Sequence, residues 1–104
     1  MPRRDGLREL ADLEAVFAAL GHAQRRQILL VLHARGDAMT AGEIAGRFEC
    51  TWPTTSRHLR QLEEAGLVAV EKSGRERVYR LATERLAAVV GGWIARFERR
   101  GVVP

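Results

Sequence analysis

The 104-residue sequence contains little cysteine, little lysine and no long apolar run. Its single cysteine, Cys50, excludes a disulfide within the chain and favours a reducing cytoplasm. No apolar stretch approaches the ~20 residues that a membrane-spanning helix requires. Glu9, Asp12 and Glu14 interrupt the first helical segment, where a signal peptide would carry its apolar core. We therefore expect a cytoplasmic protein that does not contact a membrane.

Signatures of catalysis are also missing. The sequence has no Ser-His-Asp order, no glycine-rich phosphate loop and no pair of carboxylates on one helix face. Large catalytic folds need a longer chain. We expect a binding module without a cofactor, in one domain spanning residues 1–104, rather than an enzyme.

The basic residues of the chain are almost all arginine. It supplies 16 of the 17 basic residues, Lys72 being the exception, and 13 acidic residues leave a net charge of +4. Planar guanidinium groups suit phosphates and guanine edges, so this bias favours nucleic acid as a partner. A GC-rich codon supply would produce the same bias.

Apolar periodicity divides the chain into five helices and one β-hairpin. The first, second, fourth and fifth helices are expected at about 7–20, 23–35, 53–65 and 83–100. A capping box at 40–43 opens a short third helix. The hairpin is expected on either side of a turn at 73–75. This order predicts a mainly α winged helix-turn-helix with its core at about 21–82 and a helix added at each end.

The fourth helix has two distinct faces. At about 100° per residue, Thr55, Leu59 and Leu62 share one face, which must pack on the domain. The remaining surface is polar and suits the major groove of DNA, where arginine bonds guanine and smaller side chains reach other edges or phosphates. The candidate DNA-binding residues of this helix are Thr54, Thr55, Ser56, Arg57, His58, Arg60 and Gln61. A solvated face without a partner is the alternative.

Two aromatic residues of this region have competing interpretations. His58 is expected to be a boundary histidine that bonds a neighbour, with a DNA contact as the alternative. Trp52, just before the helix, is expected to pack over the short third helix, with a reach into the groove as the alternative.

The tip of the hairpin is basic. Lys72, Arg75 and Arg77 surround Gly74, and acidic residues lie between them. These three cations are the candidate DNA-binding residues of the wing, which would reach a minor groove or a row of phosphates, and we expect Arg75 and Arg77 to contact phosphates rather than bases. An ordinary solvated turn is the alternative.

Three segments together resemble a known family. They are ALGHAQRRQIL at 19–29, TTSRHLRQLEEAGLV at 54–68 and GRERVYRL at 74–81, and Ser-x-His-Leu followed by Ala-Gly-Leu is the most specific of their signals. Over about residues 13–100 the chain resembles the ArsR-type (arsenic-repressor) winged-helix regulators. The resemblance implies a homodimeric transcriptional repressor that binds an inverted repeat in double-stranded DNA and releases it when an effector binds.

The family resemblance also implies a dimer interface built from the first and last helices. The apolar stripes of these helices exceed what a small winged domain can cover alone. The expected interface residues are Leu10, Leu13, Phe17, Leu20, Val89, Val90, Trp93 and Phe97. Packing of each stripe on its own domain is the alternative.

The sequence departs from the metal sensors of that family. Residues 41–48 contain no cysteine or histidine where some sensors carry Cys-x-Cys, and residues 83–100 offer only Glu84 and Glu98. Zinc or arsenite needs three or four convergent ligands, and the histidines and Cys50 are scattered over four elements. We expect no metal site.

The effector is therefore unknown. Cys50 lies in the turn before the recognition helix, where oxidation or a disulfide between subunits could move that helix. Relatives that sense through thiols generally use two cysteines in a subunit, and this chain has one. A packed residue is the expected role of Cys50, and a redox-responsive repressor is the alternative. A winged-helix module that binds a partner protein without DNA is a further alternative.

Overall fold

The computed structural model describes the backbone of residues 2–100 and the side chains of residues 6–98. Its elements are α1 (Pro2–Leu20), α2 (Ala23–Ala34), β1 (Ala38–Thr40), α3 (Ala41–Ala45), α4 (Trp52–Glu64), β2 (Val68–Ser73), β3 (Glu76–Leu81) and α5 (Thr83–Arg100). The predicted order of a winged helix-turn-helix is confirmed. The unit α3–turn–α4 is the helix-turn-helix, and β2 and β3 form the wing. No helix in this described range is long and apolar enough to span a bilayer.

The sheet has three strands, so the predicted two-stranded hairpin is incomplete. Its order is β1-β3-β2, and both pairings are antiparallel. Met39 of β1 lies opposite Tyr79 of β3, and both side chains are buried. A three-residue strand with one buried side chain is too short for alternation to reveal it in the sequence.

The start of the short helix α3 is fixed by local hydrogen bonds. At the start of α3, the Glu43 backbone N–H donates to Thr40 Oγ1 at 3.1 Å, and the Thr40 N–H donates to Glu43 Oε1 at 2.9 Å. The predicted capping box is confirmed. These bonds lower the pKa of the Glu43 carboxyl, the backbone bond from Thr40 having the largest effect.

Helix α4 ends in a tight glycine turn. Gly66 has a φ of +77°, and the Leu67 N–H donates to the Leu62 carbonyl at 2.9 Å. This is the Schellman arrangement, which favours glycine because a side chain strains the left-handed backbone. It turns the chain sharply from α4 into β2.

The core lies between the helices and the sheet. Each helix from α1 to α4 and each strand contributes at least one buried side chain, and α5 packs its Leu86, Val89 and Val90 against the same cluster. The apolar core residues are Val16, Ala19, Ile28, Leu29, Leu32, Met39, Ile44, Leu59, Leu62, Ala65, Leu67, Val68 and Tyr79. The core fixes α4 and the wing on one scaffold.

Candidate nucleic-acid interface

Helix α4 packs through one face, as its two-sided pattern predicts. Thr55, Leu59 and Leu62 are buried there. Thr55 has no exposed surface, and its hydroxyl has no hydrogen-bond partner among the described residues. Its side chain cannot reach DNA, so its inclusion among the DNA-binding candidates was wrong. Helical spacing places it on the same side as Leu59, toward the core.

His58 also turns inward and is only 6% exposed. Arg25 of α2 bonds it, with 3.2 Å between Arg25 Nη1 and His58 Nδ1. The ring of His22 lies beside it, with 4.4 Å between ring centroids. The inclusion of His58 among the DNA-binding candidates was therefore wrong as well, and the side chain is instead the boundary histidine bonded to a neighbour.

The environment of His58 disfavours its charged form. Burial is the largest cause that lowers its pKa, and the positive charges of His22, Arg25 and Arg57 lower it further. The ring is therefore held neutral, with Nδ1 accepting the bond from Arg25.

Arg25 is an important residue that sequence reasoning did not single out. Besides His58, its Nε donates to the Ala19 carbonyl at 2.7 Å and its Nη2 to the Ala18 carbonyl at 3.2 Å. These carbonyls belong to the last turn of α1, where intrahelical donors are lacking. The available signal was the position of Arg25 within the segment 19–29 that resembles the family.

The outward surface of α4 is polar and basic. Arg57, Arg60 and Gln61 are exposed, while Thr54 and Ser56 are half-buried at its flanks. Among the described side chains, no carboxylate forms a salt bridge with Arg57 or Arg60. Their guanidinium groups are available to a ligand.

The wing carries a second set of exposed cations. Lys72 and Arg77 lie directly opposite each other on β2 and β3, and Arg75 lies in the connecting turn. Like charges at such a position destabilise a strand pair. Among the described side chains, none of the three forms a salt bridge, whereas Arg80 on the same strand pairs with Glu71.

A cleft of about 500 Å³ separates the wing from the start of α4. Trp52 and Ser56 line its helix side, and Arg75 and Arg77 line its wing side. The cleft also contacts the start of α3. Trp52 is 43% exposed and lines this cleft together with Ala41 and Gly42 of α3, so its packing over α3 stays a prediction.

A separate apolar surface runs along α1 and α5. The Trp93 ring packs edge-on against Phe17 and Phe97, with 5.0 Å between centroids in each pair. Phe97 is 60% exposed, and Leu10 is also exposed. Leu13 is half-buried, and the remaining predicted interface residues pack partly against the core of their own chain, namely Leu20, Val89 and Val90.

Cys50 is half-buried in the turn before α4. Its thiol donates to Gln24 Oε1 of α2 at 2.9 Å. Among the described residues, no three side chains of histidine, cysteine, aspartate or glutamate converge as metal ligands would. A redox role for Cys50 stays a prediction.

Comparison with known proteins identifies the family. A helix-turn-helix domain model matches residues 20–71. The chain is 35% identical to the transcriptional repressor SdpR of Bacillus subtilis over 83% of this chain and 92% of that protein. An ArsR-like transcriptional regulator from Rhodococcus sp. RHA1 has a similar structure, with a TM-score of 0.73, 32% identity and 89% of each chain covered.

A third relative comes from Mycobacterium bovis. The solution structure of its homodimeric winged helix-turn-helix DNA-binding domain, a possible ArsR-family regulator, has a TM-score of 0.71 and 25% identity, and covers 94% of this chain and 88% of that one. These relatives agree with the α3–turn–α4 unit and the wing described above. The chain therefore belongs to the ArsR-type family of winged helix-turn-helix transcriptional regulators, which bind DNA and are not enzymes.

Proposed function

We propose that this regulator is a homodimeric repressor that binds an inverted repeat in double-stranded DNA and needs no metal. One observation carries the DNA-binding surface: five exposed cations on α4 and the wing have no carboxylate partner among the described side chains. They are Arg57, Arg60, Lys72, Arg75 and Arg77. Such groups bind phosphates and base edges and release counterions on binding.

The two elements have different tasks in this proposal. Arg57 and Arg60 project from the recognition helix, so they reach base edges in the major groove. The wing cations bind the phosphate backbone beside the groove, which adds affinity without selecting a sequence. The polar surface of α4 that faces the groove in this proposal also includes Thr54, Ser56 and Gln61.

The homodimer is supported by the exposed apolar surface of α1 and α5. Leu10, Trp93 and Phe97 are too apolar and too exposed to be left in water without cost. The M. bovis relative is a homodimer. In a twofold dimer that reads DNA with both α4 helices, these helices would lie about one DNA turn, ~34 Å, apart, and the operator would be an inverted repeat.

The proposed absence of metal sensing rests on the side chains present. The α3 segment has neither cysteine nor histidine, and no ligand group converges among the described residues. Three or four convergent ligands are what zinc requires. The regulator acts in the cytoplasm, where its DNA lies.

Fluorescence anisotropy on the DNA upstream of the protein's own gene tests the repressor function. It is run near physiological salt with excess random competitor, with and without a chelator or added Zn²⁺. We expect tight binding that persists in the presence of the competitor and is unchanged by the chelator or by Zn²⁺. Binding no stronger than to random DNA would refute autoregulation, and selection of sequences from a random duplex library would then decide between a distant operator and a protein partner.

The same assay tests the redox alternative. Wild type and Cys50→Ser are compared before and after oxidation. If oxidation releases DNA from the wild type alone, Cys50 is the sensor. If both proteins keep their affinity, Cys50 serves only as the packed donor to Gln24.

A further inference from the structure

We propose that Trp52 recognises a base, and that its indole contacts the 5-methyl group of a thymine in the major groove. The inference rests on the proposed DNA-binding function and deepens it. It concerns a residue outside the set of polar and basic candidates, and it specifies one feature of the operator sequence.

The position of Trp52 on α4 favours this role. It is the first residue of the helix, and residues near the start of a recognition helix contact base edges. One turn later Ser56 follows on the same flank, beside the buried face that carries Thr55 and Leu59. This flank faces the wing.

The side chain of Trp52 is 43% exposed. It is the sole large apolar side chain that lines the cleft, whose other walls come from Thr40–Gly42, Ser56 and the wing. The other exposed tryptophan, Trp93, packs against two phenylalanine rings, whereas Trp52 forms no aromatic pair within the described residues. Contact between an exposed indole and an apolar group of a ligand removes apolar surface from water and so stabilises the complex.

The surrounding charges define that ligand. Arg75, Glu76 and Arg77 line the wing side of the cleft, opposite Trp52, and the two guanidinium groups outnumber the carboxylate and attract the phosphate backbone. Arg57 projects from the outward face of the same helix toward base edges. Trp52 shares the cleft with the wing cations and shares α4 with Arg57. The apolar group that duplex DNA offers in the major groove is the thymine methyl.

The experiment begins by selecting an operator from a random duplex library with the wild-type chain. Each thymine of the selected site is then replaced by deoxyuridine, which removes only the methyl group. Anisotropy should reveal one position per half-site at which this change weakens wild-type binding about fourfold, the worth of one buried methyl group.

Variants then assign that loss to the indole. Trp52→Ala should bind the operator about tenfold more weakly, and deoxyuridine at the sensitive position should weaken it no further. Trp52→Phe keeps an apolar ring and should retain part of the methyl effect. Leu30→Ala, which truncates a 70% exposed side chain of α2 outside the cleft, should bind like the wild type.

Three outcomes contradict the proposals. Equal wild-type affinity for thymine and deoxyuridine at every position overturns the inference, as does an undiminished methyl effect in Trp52→Ala; both leave the proposed DNA-binding function intact. Failure of the wild-type chain to enrich any sequence overturns the proposed function and this inference with it. Circular dichroism of each variant separates a lost contact from a lost fold.

Discussion

Arg25 bonds the buried ring of His58 while the same guanidinium group binds the last turn of α1. The bond to His58 Nδ1 is 3.2 Å long, and those to the Ala18 and Ala19 carbonyls are 3.2 and 2.7 Å. Arg25 therefore links α1, which carries the proposed dimer surface, to α4, which carries the proposed DNA surface.

Arg25→Lys should destabilise the fold by about 2 kcal/mol, because one ammonium group cannot reproduce three separated hydrogen bonds of a guanidinium fork. Urea denaturation measures the loss. Arg26→Lys is the matched control, since Arg26 makes one bond, from Nη1 to the Leu20 carbonyl at 2.7 Å, which an amine can replace. Equal losses in the two variants would contradict the linking role of Arg25.

Stability should fall as the pH drops below the ordinary pKa of histidine, ~6.5. The pKa of His58 is lower in the folded chain, because the ring is buried and faces His22, Arg25 and Arg57. Between the two pKa values the unfolded chain binds more protons, so acid favours unfolding, and the loss is complete below the folded pKa. The urea midpoint at pH 7.5 and 5.5 measures this effect.

His58→Gln provides the test of that assignment. Glutamine can accept the bond from Arg25 but does not titrate, so this variant should lose much of the pH dependence. His33→Gln changes an exposed histidine that bonds Asp37, far from Arg25, and should keep it. If the urea midpoint of His58→Gln changes with pH as much as that of the wild type, His58 is not the group that causes the pH dependence.

Local patterns allowed the sequence to predict much of the fold. The two faces of α4 follow from helical periodicity at Thr55, Leu59 and Leu62, and the start of α3 follows from the Thr40–Glu43 pair. Each signal lies within four to eight residues of sequence, where spacing alone places side chains together.

Features set by distant residues could not be predicted in this way. The contact of Arg25 with His58 joins residues 33 positions apart. Strand β1 forms because β3 offers it an edge, and the exposure of Trp52 depends on where the wing lies. Helical position correctly placed Thr55 on the buried face, and only its inclusion among the polar DNA-binding candidates conflicted with that position.

Gly66→Ala should cost about 2 kcal/mol or more of stability, measured by thermal or urea denaturation. Gly66 has a φ of +77°, and an added Cβ would lie 2.3 Å from Arg85 Nε, which donates to the Ala65 carbonyl. Gly74→Ala is the matched control, with a φ of +65° and open space around it, so it should cost about 1 kcal/mol. Similar losses would mean that Arg85 moves aside freely.

Phe97→Glu should shift the regulator toward the monomer, because it places a charge on the exposed apolar surface of α1 and α5. Sedimentation at several concentrations should show at least a tenfold weaker dimer. Leu30→Glu changes an equally apolar, exposed residue on α2 and should leave the dimer intact. If Phe97→Glu remains a dimer with wild-type affinity, the two chains associate through another surface.

Arg57→Ala and Arg75→Ala should weaken DNA binding in different ways. Arg57 is exposed on α4, where we propose that it contacts base edges, so its loss should lower the affinity for the operator about tenfold while random DNA is affected less. Arg75 lies in the wing turn, where we propose a contact with phosphate, so its loss should weaken operator and random DNA alike and reduce the salt dependence by about one counterion. Anisotropy with both duplexes across a salt series separates the two effects. If both variants lose the same specificity, α4 and the wing do not divide base recognition and phosphate binding between them.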